Sequence, residues 1–315
     1  MELITGENDK GRRLDRILRK ALPDLPLPLI HRLLRQGRVF VNGKSEKMQY
    51  RPDAGAKISI PTLNTAEKKN LNSEKTVFKA NKNSSPVSLQ DMVLWENHGL
   101  IAFNKPAGLA VHGPNSLDIM VQSWFSDKLP QSLSFKSGPL HRLDKPSSGI
   151  VVFSASLEGA RFFSSLLHER KIKKSYLAII EGRIEKEEIW QDELFRDKEK
   201  KKTLILKNKD HLKTAVTKIS PAASTENYSL IRAEIETGRT HQIRAQAAFH
   251  GHPLMGDVKY GGQRTQDKEY KTKNTGFFLH ARKLEFLDYS ITAPLPKDFI
   301  EAIKRLFGNI EQLYY

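Results

Sequence analysis

From Val87 onward the chain is patterned in a way that few architectures accept: short β-prone runs follow one another with little helix between them. The runs are VLWE, LIAFN, GIVVF, SYLAIIEG, TAVTKIS, YSLIRAEIE and FFLHARKLEF, each rich in β-branched or aromatic residues. Helical spacing shows at Val121, Trp124 and Phe125 and again at Phe162, Phe163, Leu166 and Leu167, and a C-terminal helix fits PKDFIEAIKRLF. Regular alternation of strand and helix would predict a parallel sheet. Many strands with scattered helices predict instead an α+β fold on a mixed, mainly antiparallel sheet.

The residues ahead of Val87 read differently. Leu14, Ile17, Leu18, Ala21 and Leu22 fall at i, i+3, i+4, i+7 and i+8, which predicts an amphipathic helix over 11–22. Its other face carries Arg12, Arg16, Arg19 and Lys20. A second helix is expected from Pro28 to Gln36, with Pro28 in its first turn, Gly37 as its stop, and Arg32 and Arg35 along it. VFVNGK predicts a strand entering an Asn42-Gly43 turn, with KISIP as its later partner. Residues 1–62 hold 13 Lys and Arg against 7 Asp and Glu, a net +6 on a small α/β unit. The stretch 63–86 is polar, rich in Lys and Asn, and without apolar period, so it reads as a linker to a larger domain over 87–315.

The whole chain of 315 residues carries a net +16, which calls for a polyanionic partner, nucleic acid first. No apolar run approaches the ~18 residues that span a bilayer, and MELITGENDKGRR lacks an apolar signal core, so no membrane and a cytoplasmic location are expected. Cysteine is absent, which removes disulfides, thiolate metal sites and cysteine nucleophiles. With neither HExxH nor a Walker or GxGxxG loop, no metal and no cofactor are expected, and nothing calls for an obligate protein partner.

Four segments concentrate polar groups between structure-forming residues: NKPAGLAVHG (104–113), GPLHRLDKPSSGIVVFS (138–154), KKSYLAIIEG (173–182) and ETGRTHQIRAQAAFHGHPLMGD (236–257). In the second, Asp144 lies between the cationic His141 and Arg142 and the loop PSSG, which immediately precedes a β-prone run. A carboxylate on a loop at the mouth of a sheet is a common catalytic placement, although HRLD standing alone would more often be a turn with a capping Asp. The last segment supplies Arg239, His241 and Arg244 within six residues, and on a helix His241 and Arg244 would share a face. An arginine brought beside a carboxylate favours its ionised form, which suits a nucleophile or base.

In order and spacing, HRLDKPSSG, KKSYLAIIEG and ETGRTHQIRAQAAFHGHPLMGD resemble the three catalytic segments of the RluA-type pseudouridine synthases, and NKPAGLAVHG resembles their first motif. The resemblance covers roughly residues 89–290 and is closest to members acting on the large ribosomal subunit. It implies Asp144 as the catalytic carboxylate, Tyr176 as the tyrosine against the target base, Arg244 as the partner of that carboxylate, and Arg142 as an arginine that displaces the base. His141, Arg239 and His241 are candidate substrate contacts beside them. Where the family has Thr-Ser-Gly after the Asp, this chain has Ser147-Ser148-Gly149, which keeps a hydroxyl. The front unit resembles the RNA-binding domain of the ribosomal-protein-S-four type. On that resemblance Arg12, Arg16, Arg19, Lys20, Arg32 and Arg35 would neutralise phosphates without reading bases.

The reaction so implied breaks the uridine N1–C1′ bond, turns the base and forms C5–C1′, which is redox-neutral and consumes nothing. A target in structured RNA must leave its stack to reach a buried carboxylate. The expected substrate is 23S ribosomal RNA or the assembling large subunit. The alternatives are the same reaction on transfer RNA, a non-catalytic ribosome-assembly factor, and a glycoside or nucleoside hydrolase, whose usual plan needs two carboxylates flanking the bond.

Overall fold

In this computed structural model the described residues are 1–60, 88–126, 128–129, 131–197, 199–206, 212–262 and 276–310. The stretch read as a linker lies outside them. The front residues form β1 (Glu2–Ile4), α1 (Leu14–Ala21), α2 (Leu27–Arg35), β2 (Phe40–Val41), β3 (Lys44–Ser45) and β4 (Lys57–Ser59), and the strands pair antiparallel in the order β1-β4-β2-β3. The apolar stripe of α1 is buried at Leu14, Ile17 and Leu18 against Ile30, Leu33, Leu34, Val41 and Ile58. Helix α1 starts three residues later than its spacing suggests, because the Leu14 amide donates to the Tyr50 carbonyl outside the helix. Asn42 (φ 50°) and Gly43 (φ 81°) are both left-handed, as the turn between β2 and β3 requires. Strand β1 has no forewarning in the sequence, since three residues cannot display a period.

The remaining strands make one ten-stranded sheet: β5 (Val93–Asn97), β6 (Leu100–Lys105), β7 (Ser148–Ser154), β8 (Lys173–Glu181), β9 (Glu188–Asp197), β10 (Lys202–Ile205), β11 (Lys213–Ser224), β12 (Tyr228–Ile235), β13 (Leu279–Phe286) and β14 (Tyr289–Thr292). The order is β10-β9-β11-β12-β8-β13-β7-β6-β5, with β14 on β13, and β13–β7 is its parallel pair. The α+β expectation of a mixed, mainly antiparallel sheet is met. Strands β9, β10 and β14 were not foreseen. In EIWQDELFRD, Trp190 and Leu194 are buried while Ile189 is 70% exposed, so the apolar residues of β9 do not alternate.

Helices cover both faces of this sheet. On β8, Tyr176, Ala178 and Ile180 join a core with α3 (Leu117–Phe125) and α5 (Gln242–Phe249), while Leu177 and Ile179 pack under α6 (Lys297–Phe307). The α4 helix (Leu157–His168) covers β6 and β7 through Phe163 and Leu166. A strand buried on both faces reads as a continuous apolar run, which is why YLAII in β8 is apolar throughout.

The front residues are tied to the larger sheet by hydrogen bonds centred on one buried carboxylate. Asp9, with no exposed surface, accepts hydrogen bonds from the Ser132 hydroxyl (2.8 Å), the Leu133 and Ser134 amides (2.9 Å each) and the Ser134 hydroxyl, besides the Gly6 amide. Arg12 donates to the Ser134 carbonyl at 3.0 Å, and the Leu157 amide donates to Asn8 at 2.9 Å. Any side chain at position 6 would strike the Gln131 carbonyl, since a Cβ there would lie 1.9 Å from its oxygen. Burial alone would raise the Asp9 carboxyl, but the hydrogen bonds from Ser134, Gly6, Leu133 and Ser132 outweigh it and hold it below its ordinary value. A depressed carboxyl stabilises the folded form above the unfolded pKa of ~3.9, and that contribution is lost as acid carries pH down through the native value. Asp9→Asn is therefore expected to weaken the docking by about 2 to 3 kcal/mol. Amides of residues 1–60 will exchange hydrogen faster in the variant, with β7 and β8 unchanged, and the acid dependence of that exchange will flatten.

Candidate active site

The segment HRLD is both the turn and the site. Residues before it run beside β7, with the Leu140 amide donating to Val152 and the Ser154 amide to Gly138. The chain then reverses, the Ser147 amide closing on the Asp144 carbonyl at 3.1 Å. Gly149 (φ 105°) lets the returning strand approach β13, where a Cβ would lie 2.3 Å from the Ala281 carbonyl oxygen. Beneath the turn, the fully buried Lys105 of the NKPAG segment donates to the carbonyls of Pro106 (3.0 Å), Leu109 (2.7 Å) and Lys145 (3.3 Å), and the Gly108 amide also donates to Lys145. Burial pushes the Lys105 ammonium down to about 7, against the pull of Asp144.

Across the cleft, α5 carries Arg244, whose guanidinium is shared by two carboxylates. Its Nη1 donates to Asp144 Oδ2 at 2.8 Å, while Nε and Nη2 donate to Asp257 Oδ2 and Oδ1 at 2.6 and 2.8 Å. The rings of Tyr260 and Phe277 lie 4.9 and 4.4 Å from its central carbon. Burial would lower the Arg244 pKa, but Asp257 and Asp144 outweigh it and raise the group above its ordinary value. Asp257 closes the fourth polar segment, yet sequence spacing assigned it no part. Its signal is weak, because an Asp after Met-Gly reads as a turn residue.

His241 reaches the same carboxylate by a route the sequence did not suggest. It does not share a helical face with Arg244: it is the residue before α5, in left-handed backbone (φ 54°). Tyr260 Oη accepts from the Thr203 amide at 2.7 Å, so its proton is free to go to His241 Nδ1, 2.8 Å away. That network leaves the His241 proton on Nε2, facing Asp144 Oδ1 at 3.6 Å. Burial, with Arg244, Arg196 and Lys259 outweighing Asp144, pushes His241 down to about 4, so the ring is neutral at physiological pH. At 3.6 Å the contact is too long for a hydrogen bond, and Asp144 Oδ1 is left available.

Asp144 opens into a cleft of about 600 Å³ lined by His141, Arg142, His168, Arg170, Lys174, Tyr176, Arg239 and His241. Tyr176 is buried on β8, and burial together with Asp144 raises its phenol well above the ordinary value. His141 is neutral as well: burial and then Lys174 push it down to about 3, and its Nε2 accepts from the Val152 amide at 3.1 Å. Arg142 and Arg239 are exposed at the mouth. Arg170 and Lys174 were missed at the sequence level, although Lys174 precedes Tyr176 by two on one strand and so shares its face. In the front unit Arg16, Arg19, Lys20, Arg32 and Arg35 are exposed, whereas Arg12 is half-buried and bonded to Ser134.

Residues 99–249 match the RNA pseudouridylate synthase family. Ribosomal large subunit pseudouridine synthase C of Haemophilus influenzae is 30% identical over 285 residues, covering 90% of this chain and 86% of that protein, and the Pasteurella multocida protein of the same name is 30% identical, covering 98% and 94%. Among solved structures, human RNA pseudouridylate synthase domain containing 4 superposes with a TM-score of 0.57 at 23% identity, covering 69% of this chain and 94% of that one. These likenesses place the chain in the RNA pseudouridylate synthase family, among its RluA-type members.

Proposed function

We propose that this chain isomerises uridines of large-subunit ribosomal RNA to pseudouridine, with Asp144 as the catalytic residue and without a cofactor. The observation that carries the reading is the divided Arg244 guanidinium: it engages one oxygen of Asp144 and leaves the other facing the cleft. The large-subunit assignment follows the names of the relatives, and the net +16 suits a polyanionic substrate.

In this reading Asp144 Oδ1 initiates loss of the base, by attack at C1′ or by removal of a sugar proton. The N1–C1′ bond breaks, the uracil turns in place, C5 bonds to C1′, and the C5 proton is replaced by one on N1. Tyr176, kept neutral by burial, contacts the uracil as a ring and a hydroxyl donor. Arg142, exposed beside the cleft, takes the place of the flipped base. A second carboxylate does stand near, but Asp257 is 2% exposed with both oxygens on Arg244, so it cannot flank a glycosidic bond as a hydrolase requires. The front unit, with Arg16, Arg19, Lys20, Arg32 and Arg35 exposed, adds phosphate contacts that set affinity on large RNA.

Three outcomes are expected. Asp144→Asn abolishes tritium release from C5-labelled uridine in ribosomal RNA while RNA affinity stays within a few-fold; substantial turnover by the variant would end the assignment. Asp257→Asn removes the charge and sets an amide NH2 against one Arg244 donor, which breaks the bidentate pair and lets the guanidinium swing, lowering the single-turnover rate by on the order of 10²-fold with smaller change in affinity. Finally, replacing Arg16, Arg19 and Lys20 together by Gln makes the log–log salt dependence of binding to ribosomal RNA shallower by ~0.7 to 0.9 per lost phosphate contact. On a short stem-loop the rate at saturating enzyme should hold.

A further inference from the structure

The cleft has a wall that the chemistry above does not use. It is built from the end of α4, the turn that follows and the start of β8, and it presents Leu167, His168, Arg170, Ile172 and Lys174. Two features of this wall need a reason.

The first is the backbone of Arg170. The α4 helix ends with the Arg170 amide on the Leu167 carbonyl and the Lys171 amide on the Leu166 carbonyl, a turn whose exit residue is usually glycine. Here that residue is Arg170 at φ 55°, where a Cβ carries a steric penalty. Strain of this kind persists at sites with a use for the side chain. The guanidinium is not held by its neighbours, for Glu169 is paired with Lys171 at 2.6 Å.

The second is Lys174. It is only partly exposed, two residues from Tyr176 on the same strand face, and burial pushes it down to about 8 with no carboxylate offsetting the loss of water. The group it perturbs is the neutral His141 on the same cleft. Among the described residues neither the Arg170 guanidinium nor the Lys174 ammonium has a hydrogen-bond or ion-pair partner. Two cations on one wall of an occupied-size cleft, one strained and one desolvated without a counter-charge, are complementary to a bound anion.

We infer that Arg170 and Lys174 form a phosphate subsite that takes the phosphodiester beside the target uridine and so sets its ribose against Asp144. Identifying the ribose rests on the pseudouridine synthase reading; the binding of phosphate does not. The phosphate supplies the counter-charge that Lys174 lacks in the free protein. Glycine at position 170 would relax the turn but could not reach the anion.

The test uses the full chain and a fluorescent uridine-rich RNA, with a second RNA of the same sequence carrying neutral methylphosphonate linkages. Arg170→Gly is expected to melt at or above the wild-type temperature, yet to bind the normal RNA roughly tenfold more weakly, with a log–log salt slope shallower by ~0.7. Lys174→Met should show the same loss. On the methylphosphonate RNA the variants and wild type should bind alike. Asp144→Asn should keep the wild-type slope. Wild-type affinity and slope in both variants, or an Arg170→Gly protein that melts well below wild type, would overturn the subsite. Neither result touches the functional reading, which stands or falls on tritium release by the wild-type protein.

Discussion

The sharing of one buried guanidinium between two carboxylates is the interaction on which the site depends. A lone Arg244 at that depth would be costly to bury, and a single Asp opposite would commit both of its oxygens to the bidentate pair, leaving neither for a substrate. Asp257 resolves this by taking Nε and Nη2 in a bidentate pair, so that only Nη1 is left for Asp144. The guanidinium plane is then fixed by the rings of Tyr260 and Phe277. With Arg244 immobile, one Asp144 oxygen is tethered and the other is offered to the cleft. Asp257 thus takes two of the guanidinium's donors and Asp144 one, the arrangement that the proposed catalytic role of Asp144 requires.

That arrangement needs three distant segments to meet at the middle strands of the sheet, and the fold supplies the meeting. Asp144 sits on the turn into β7, Tyr176 on β8, and Arg244 in the first turn of α5. Strands β7 and β8 do not pair with each other but flank β13. Gly149 makes the close approach of β7 to β13 possible. The site is therefore assembled by the parallel β13–β7 register, and the buried Lys105, bonded to three carbonyls, ties the NKPAG loop to the turn that carries Asp144.

Much of this was legible from residue patterns. The apolar stripe of α1, the Asn42-Gly43 turn and seven β-prone runs all correspond to elements, because each is decided by local period or turn chemistry. The misses have equally definite causes. Strand β9 hides because its buried face is capped by polar groups, Gln246 donating to Asp192 and to the Trp190 carbonyl, so its apolar residues need not alternate. His241 looked helical beside HQIR, but its left-handed backbone is imposed by the chain path from β12 into α5, and no periodicity encodes that.

By itself the sequence determined the class of fold, the ordered segments that carry Asp144, Tyr176 and Arg244, and the basic charge that asks for a polyanion. These depend on local pattern, spacing and composition, which are properties of the chain in any conformation. The tertiary structure alone decided that Arg244 answers to two carboxylates, that His241 is neutral with its Nε2 proton toward Asp144, and that Arg12 docks on Ser134 while its neighbours stay exposed. Each of those depends on groups 13 to 122 residues apart being brought within hydrogen-bond range. Hydrogen bonding and desolvation act over a few ångströms of space, so they come into being only once the sheet has closed.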